Sequence, residues 1–379
     1  MSELLEVLAA RRGELEKKIA RLLEEGDRGV GVKKWRPLPE LERFPRPEGL
    51  VVSAVDGGSN RRSLLSLEVY VVKAYSESAR LLPSLALEPL RRRRIIDVDV
   101  MLPPRNVGER LTLYRQVAEV KLMLASASSS DLILADGSVE SLAARPIHVK
   151  LVELDRGGGL VPDCEELASE IERDLASGSP RAMVSKPLIE ELASTERARE
   201  ELAEEIRLVE AAEKAASLKL LLDAVAERGA SLVFVTKTGR SNRLFGASVP
   251  DQYVLHVSTK SSGYCRVGEP SSLAELLGAG LLPRYCGLRS AAERVIAERG
   301  YVRLAPGGPV LGIDLIGPSS SRRPLEEVLP LLSALSPSGY PTLLQLVDRE
   351  SHIYNEEVDR VVTALGLSTE FTGREVLEP

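Results

Sequence analysis

The 379-residue sequence predicts an α/β fold in which helices flank a mixed sheet. Two apolar runs end in Asp-Gly, VVSAVDGG (51–58) and DLILADGS (131–138), as buried strands do when they reach a turn. A segment rich in Ala, Glu, Lys and Leu at 195–228 predicts one long helix. Strands and helices do not alternate strictly along the chain, which favours a mixed sheet over a doubly wound parallel one.

The first third of the chain predicts a helix, a linker and three strands. The helix, at 3–25, is indicated by apolar residues at helical spacing: Leu4, Leu8, Leu15, Ile19 and Leu22. The Pro-rich stretch RPLPELERFPRPEG (36–49) predicts a linker. We therefore divide the chain into an N-terminal helix with its linker (1–48) and a main domain (49–379). The strands are predicted at 50–55, 64–74 and 94–101.

The rest of the main domain follows from the same patterns. A helix is predicted at 108–126, before the strand that ends at Asp136, and loops around a short helix near 155–187. The long helix stops at Gly229 and forms most of a helical insertion at about 187–229. Further strands are predicted at 231–237, 252–258, 301–304 and 310–316, and further helices at 324–335 and 342–365.

Composition narrows the class of protein. Hydrophobic residues make up 44% and charged residues 28%, which predicts a soluble globular chain. No stretch approaches the ~18 apolar residues of a membrane span, and the N-terminus is charged, so we expect a cytoplasmic protein without a membrane partner. Cys164, Cys265 and Cys286 form no CxxC pair, which argues against a disulfide framework or a zinc knuckle.

The two Asp-Gly sites predict a cluster of carboxylates. If the strands that end at Asp56 and Asp136 are neighbours, both side chains reach one edge of the sheet, and Glu119 on the intervening helix can point there too. Carboxylates gathered in this way suit the hard cations Mg²⁺ or Mn²⁺. Two such ions ~3.5–4 Å apart can hold the attacking and leaving oxygens of a phosphodiester displacement. The glycines after Asp56 leave room for a phosphate.

Structural explanations compete with this hypothesis. Asp-Gly after a strand is a common turn, and a helical glutamate such as Glu119 is typical of a solvated face. Asp97 and Asp99 compete for the same role, although alternation places both on one face of a strand. Lys237 follows an apolar strand, where it either binds a phosphate or caps the sheet.

Several other site types are absent from the sequence. GDRGVGVKK (26–34) lacks the P-loop spacing, and no GxSxG motif occurs. His148, His256 and His352 have no metal-ligand spacing, and the first two lie in strand-like runs that suggest structural roles. The formal charge of −6 means that any basic surface is local, and RRRR at 91–94 is the clearest cluster.

The chain resembles the NurA family, archaeal nucleases that work with the hexameric HerA translocase in DNA end resection. The resemblance runs from about residue 50 to the C-terminus. It is carried by AVDGGS (54–59), Glu119, LADGS (134–138), VTKTGRSNRL (235–244) and GYPTLLQLVDR (339–349). It implies a ribonuclease-H-like fold, a homodimer, a HerA-type hexameric ATPase as partner, and Mn²⁺-dependent single-stranded endonuclease and 5′→3′ exonuclease activities on DNA.

The resemblance also implies roles for individual residues. Asp56, Glu119 and Asp136 correspond to acids that bind Mn²⁺ or Mg²⁺, with two ions expected, and Tyr340 corresponds to a tyrosine at the site. A further ligand is implied eight positions after that tyrosine; some members have histidine there and this chain has Asp348. His352, one helical turn further on, is the alternative. Apart from the resemblance, Lys237 is the candidate catalytic cation. The candidate DNA-binding cations are Lys237, Arg240, Arg243, Arg91, Arg92, Arg93 and Arg94.

Two other functions fit parts of the pattern. An ATPase of the actin and sugar-kinase superfamily also places Asp-Gly after strands, but it requires a second Gly-rich phosphate motif that is missing here. A non-catalytic subunit that binds partners through its helices has no need of four retained carboxylates. Nucleotide binding and metal-dependent DNA cleavage distinguish the three hypotheses.

Overall fold

The computed structural model describes residues 3–26, 30–40, 49–65, 67–144, 151–156, 161–194, 199–278 and 280–367. His148, most of the predicted linker and the start of the predicted long helix lie outside these ranges. Within them, the strands form one nine-stranded mixed sheet in the order β3-β2-β1-β4-β5-β9-β8-β6, with β7 paired to β8. The strands are β1 (Val51–Ser63), β2 (Glu68–Leu81), β3 (Leu87–Val100), β4 (Leu132–Asp136), β5 (Ser231–Thr236), β6 (Gly263–Arg266), β7 (Ser271–Ser272), β8 (Val295–Arg303) and β9 (Leu311–Pro318).

Helices connect these strands and cover the sheet. They are α1 (Glu3–Gly26), α2 (Val30–Lys34), α3 (Val107–Ala127), α4 (Val139–Ala144), α5 (Cys164–Ala176), α6 (Lys186–Ala193), α7 (Arg199–Arg228), α8 (Asp251–Ser258), α9 (Leu273–Leu277), α10 (Leu288–Glu293), α11 (Leu325–Ala334), α12 (Thr342–Ser351) and α13 (Asn355–Ala364). The predicted mixed α/β class is confirmed. No helix in the described ranges is long and apolar enough to span a membrane.

The sheet combines parallel and antiparallel pairs. β1, β4 and β5 run parallel in the centre, β2 and β3 continue antiparallel on one side, and β9, β8 and β6 continue antiparallel on the other. Val55 of β1 lies opposite Ala135 of β4. The two Asp-Gly sequences that follow these residues are therefore neighbours, as the sequence hypothesis required.

Alternation along the central strands divides the core into two layers. Val55, Ile133 and Phe234 face α3 and α7, where they join the larger apolar cluster. Val52, Leu134 and Val235 face α11 and α12 in a second cluster. Because residues two apart share a face of a strand, Asp56 and Asp136 project on the side of α12.

Strand β1 extends further than predicted. Asp56 was expected to end it, but β1 has 13 residues and pairs with β2 as far as Ser63. The glycines that suggested a turn instead lie inside the strand, where their lack of side chains admits the layers on either side. Asp56 is consequently an interior residue of a central strand.

Other strands also differ in extent from their predictions, and two further predictions were wrong in the type or the continuity of the element. Residues 252–258 belong to helix α8 rather than to a strand, although QYVLHVS has strand-like composition. The helix places Leu255 in a buried cluster with Cys265 and Tyr301, and this packing overrides local propensity. The helix predicted at 342–365 is interrupted after Ser351, because Ile353 inserts into a cluster on β2 and α13.

The structure also corrects the interpretation of the cysteines. Cys164, at the start of α5, forms a disulfide with Cys286, and their Cα atoms are 5.3 Å apart. The third cysteine, Cys265, is free and buried. The bond joins residues 122 positions apart, so spacing in the sequence could not reveal it.

Breaking this bond is expected to destabilise the protein. A cross-link over a long loop restricts the unfolded chain, and removal of such a bond typically lowers the free energy of unfolding by about 2–4 kcal/mol. Thermal melts of wild type and Cys164→Ser, each with and without reductant, measure the effect. Reductant should lower the Tm of wild type and leave that of Cys164→Ser unchanged. Equal sensitivity in both proteins would contradict a stabilising bond.

Candidate active site

The candidate site is built around the sequence Asp56-Gly57-Gly58 within β1. A Cβ atom on Gly57 would lie 2.7 Å from Glu119 Oε1, and one on Gly58 would collide with the carbonyl oxygen of Ser351. The two glycines face opposite sides of the strand. Their bare backbone lets α3 approach on one side and the end of α12 on the other.

Asp136 lies beside Asp56 at the end of β4. Tyr340 donates its hydroxyl hydrogen bond to Asp136 Oδ1 at 3.2 Å, and Lys237 Nζ lies 3.2 Å from Asp136 Oδ2. Lys237 follows β5, and its ammonium group lies 4.8 Å from the centre of the Tyr340 ring. The backbone turn after Asp136 requires Gly137, whose φ is +98°.

Helix α12 contributes an acid and a hydroxyl group. Asp348 Oδ1 lies 3.6 Å from Lys237 Nζ, and Ser351 Oγ donates to Asp56 Oδ2 at 3.2 Å. The helix ends at Ser351, so His352 does not lie one turn along the same helical face as expected. Its exposed ring instead packs edge-on against Tyr354, 4.5 Å between centroids. The structure thus places Asp348, and not His352, beside Lys237.

Glu119 reaches the site from α3, on the other face of the sheet. Arg115 Nη1 donates to Glu119 Oε1 at 2.6 Å and to the carbonyl oxygen of Gly57 at 3.3 Å. Sequence reasoning missed Arg115 and Ser351. Arg115 could have been found from its i,i+4 spacing to Glu119 on the predicted helix. Ser351 could not, because its role depends on where α12 ends.

Burial and mutual repulsion perturb the acids. Burial raises the pKa of Asp56 to about 6, and the charges of Asp136 and Asp348 add to the effect. Burial likewise raises the pKa of Glu119 to about 7, against the opposing charge of Arg115. Burial acts to lower the pKa of Lys237. The charge of Asp136 and its hydrogen bond outweigh burial, so the net effect is a raised pKa. These carboxylates therefore interact electrostatically with one another.

The donor set fits a hard divalent cation in its chemistry. Asp56, Glu119, Asp136 and Asp348 offer only oxygen ligands, and cations relieve their repulsion. In the described part of the chain, no three acid, histidine or cysteine side chains are arranged so that they could already hold an ion. Arg115 and Lys237 occupy oxygens of Glu119 and Asp136, so a bound metal ion would compete with the protein's own cations.

The basic residues singled out in the sequence lie on two sides of these acids. Arg240 and Arg243 are exposed in the loop that follows Lys237. On the edge strand β3, Arg94 lies opposite Tyr75, which lies opposite Asp56.

The RRRR sequence is divided between two faces of β3. Arg92 shares the face of Arg94 and pairs with Glu77 at 2.7 Å. Arg91 and Arg93 alternate to the other face. Asp97 and Asp99 lie apart from the site and bind Lys186 at 2.5 and 2.9 Å. His256 belongs to α8, where its carbonyl oxygen accepts a hydrogen bond from Arg303 at 3.0 Å.

Comparison with known proteins identifies the family. The NurA domain model matches residues 50–353, which include all of the acids described above. The chain belongs to the NurA family. A curated relative from Sulfurisphaera tokodaii, "DNA double-strand break repair nuclease NurA", is 24% identical over 371 residues, 97% of this chain and 96% of the relative. A relative of the same description from Saccharolobus solfataricus is 22% identical over 321 residues, 83% of this chain and 79% of the relative.

Solved NurA structures share the fold. The NurA nuclease from Sulfolobus solfataricus superposes with a TM-score of 0.66 at 18% identity, covering 97% of this chain and 96% of that one. A NurA structure bound to dAMP and manganese has a TM-score of 0.65 at 15% identity, covering 98% and 96%. The mixed sheet and its flanking helices are therefore the NurA fold.

The raised pKa of Asp56 predicts a pH-dependent stability in metal-free protein. A carboxyl group whose pKa rises from 3.8 to about 6 on folding destabilises the folded state by on the order of 3 kcal/mol at pH 8. The folded state binds more protons than the unfolded state between these values, so stability falls as pH rises through that window. Asp56→Asn removes the buried charge and should raise the Tm at pH 8 but not at pH 4.

Calorimetry in the presence of EDTA measures this difference. Glu275→Gln on α9, an acid outside the site, is the control and should leave the Tm nearly unchanged at both pH values. An equal gain from Asp56→Asn at pH 8 and pH 4 would show that charge is not its cause.

Proposed function

We propose that this protein is a Mn²⁺- or Mg²⁺-dependent DNA nuclease that acts in the repair of double-strand breaks. One observation carries the proposal: in a chain that belongs to the NurA family, Asp56 and Asp136 lie on neighbouring strands, within electrostatic reach of Glu119 and Asp348, and Lys237 lies beside Asp136 and Asp348. The manganese bound in a structurally similar NurA supports the choice of metal. The nuclease description of both curated relatives supports the reaction.

The finer activity follows the family resemblance. We infer single-stranded DNA endonuclease and 5′→3′ exonuclease activities on single- and double-stranded DNA, used in end resection. The strand order β3-β2-β1-β4-β5, with β1, β4 and β5 parallel, supports a ribonuclease-H-like core. In such a core the acids lie on the central strands, as Asp56 and Asp136 do here.

Asp56, Glu119, Asp136 and Asp348 are the proposed ligands of two metal ions. When bound, such ions activate the attacking water and stabilise the leaving oxygen of the phosphodiester. The protein's own residues arrange these ligands. Ser351 orients Asp56 and Arg115 holds Glu119. Tyr340, whose pKa is raised by burial and by Asp136, stays protonated and donates to Asp136.

Lys237 is the proposed phosphate ligand of the protein itself. Its ammonium group lies between Asp136 and Asp348, and the side chain is 44% exposed, so a DNA phosphate can approach it. Arg240 and Arg243 continue the positive surface along the loop. Arg94 and Arg92 lie on the opposite side of the acids, on β3. A strand of DNA crossing the site would meet cations before and after the acids, which compensates for the formal charge of −6.

We also propose a homodimer that binds a HerA-type hexameric ATPase. This sequence has no P-loop, so we infer that the motor that feeds DNA to the site is the proposed HerA-type partner. Helix α1 supports a partner-binding role, because its apolar residues Leu4, Leu8 and Ile19 are exposed. The helix touches the rest of the protein at α8.

The two alternative functions, an ATPase and a non-catalytic subunit, have less support than a nuclease. An actin or sugar-kinase-like ATPase has no support in a chain whose family match spans residues 50–353. A non-catalytic subunit would have no use for acids whose ionisation destabilises the fold.

Replacement of either central aspartate tests the proposed function. Asp56→Ala and Asp136→Ala should each abolish Mn²⁺-dependent cleavage of labelled single-stranded DNA, because each removes a metal ligand, while the circular dichroism spectrum stays unchanged. Glu275→Gln, outside the site, should cleave like wild type. Normal rates in either alanine variant, or equal wild-type rates with and without Mn²⁺, would overturn the proposal.

The choice between Asp348 and His352 has its own test. Asp348→Asn keeps the size and removes the charge beside Lys237, so it should lower kcat at saturating Mn²⁺ by ~100-fold, a magnitude typical of losing one group that stabilises charge. His352→Ala should have a much smaller effect, because the ring packs on Tyr354 outside the acids. The opposite ranking would assign the last ligand to His352.

A further inference from the structure

We propose that Asp251 and Gln252 are positioning residues that hold the basic loop, residues 237–250, in the conformation that receives DNA. The inference rests on the proposed function, since it explains how Lys237, Arg240 and Arg243 are presented to a substrate. Asp251 and Gln252 are the first two residues of α8 and immediately follow this loop. Both side chains are buried, with 1% and 8% of their surface exposed.

Asp251 binds the far half of the basic loop. Its carboxylate accepts hydrogen bonds from the backbone N–H groups of Leu244 and Phe245, both at 3.0 Å. Its own N–H donates to the carbonyl oxygen of Ser241 at 2.7 Å. A buried carboxylate is costly unless its oxygens are bonded, and here the loop backbone supplies the donors. The loop backbone therefore stabilises the buried charge of Asp251, and Asp251 in turn stabilises this conformation of the loop.

Gln252 binds the near half, beside Lys237. Its Nε2 donates to the carbonyl oxygen of Lys237 at 2.8 Å and to that of Val310, just before β9, at 2.5 Å. Its Oε1 accepts from the N–H of Gly239. A Cβ on Gly239 would lie 2.9 Å from this Oε1, so a side chain at this position would displace the amide oxygen. The amide side chain of Gln252 thus links the loop to the start of the interior strand β9.

These contacts fix the backbone on which the cations are mounted. Gln252 donates to the backbone carbonyl group of Lys237. The side-chain Nζ of Lys237 lies 3.2 Å from Asp136 and 3.6 Å from Asp348. Arg240 and Arg243 follow within the part of the loop held by both side chains. Leu244 and Phe245 of the loop also pack against a buried cluster that includes Leu255 and Tyr301. A loop that is ordered before DNA binds avoids the entropic cost of ordering on binding.

Hydrogen exchange and kinetics test the proposal with two variants. Gln252→Met keeps an unbranched side chain but removes both bonding groups, so the amide of Gly239 should exchange at least about tenfold faster. Asp251→Asn turns an NH₂ toward a backbone donor, so exchange should accelerate at Leu244 and Phe245. In each variant the KM for single-stranded DNA should rise about tenfold, with a smaller change in kcat.

A pair of glycine variants approaches the same contact from the loop. Gly239→Ala should reproduce the effects of Gln252→Met, because its methyl group displaces Oε1. Gly108→Ala on α3, where an added Cβ meets nothing within 4 Å, is the matched control and should behave as wild type in both exchange and KM.

Three results would overturn the proposal. The first is unchanged exchange at the three amides. The second is exchange that rises equally in β4 and in the loop, which would mean that the two residues only support the fold as a whole. The third is local acceleration with wild-type KM and kcat, which would mean that the loop conformation does not matter for DNA. An inactive wild-type protein would contradict the proposed function instead, and the exchange pattern would still decide whether these side chains hold the loop.

Discussion

The close approach of two layers to a bare segment of β1 is the constraint on which the site depends. Gly57 admits Glu119 and Arg115 from α3, and Gly58 admits the end of α12 with Ser351. A side chain at Gly57 would displace those of Glu119 and Arg115, and one at Gly58 would push the backbone at the end of α12 away. The glycines thus allow groups from both faces of the sheet to approach one central strand. Asp56 lies on β1 between Val55 and these glycines, and therefore between the groups that approach from α3 and from α12.

The second constraint is electrostatic. Desolvation raises the pKa of Asp56 and Glu119, so their ionisation opposes folding. Nearby cations partly offset this cost: Lys237 lies beside Asp136 and Asp348, and Arg115 donates to Glu119. Lys214 on α7 is fully buried behind Glu119; burial lowers its pKa to about 7, against the opposing charge of Glu119. Protein cations therefore partly neutralise these acids, and α7 takes part in the electrostatics through Lys214.

Part of this organisation can be predicted from sequence and part cannot. Asp56 and Asp136 could be predicted because a polar group after a buried apolar run is a local feature, and their strands proved to be neighbours. The end of α12 at Ser351 and the helix at 251–258 could not, since Ile353 and Leu255 are placed by packing against distant strands. The Cys164–Cys286 bond is likewise a product of tertiary structure. Local propensity fails where a segment's partners are far away in sequence.

The sheet order explains how an acidic protein can present DNA with a favourable surface. Asp56 and Asp136 lie on adjacent central strands, and repulsion for phosphates is greatest there unless metal ions are bound. Arg94 is two strands away from Asp56 on one side, about 10 Å at the usual spacing. Lys237 follows the next strand beyond Asp136 on the other. Arg94 and Lys237 therefore flank the two aspartates across the sheet, from β3 to β5. Under the proposed function, this arrangement would hold phosphates of a bound DNA strand on both sides of the acids. The basic loop, and hence Asp251 and Gln252, lies at the β5 end of the arrangement rather than at its centre.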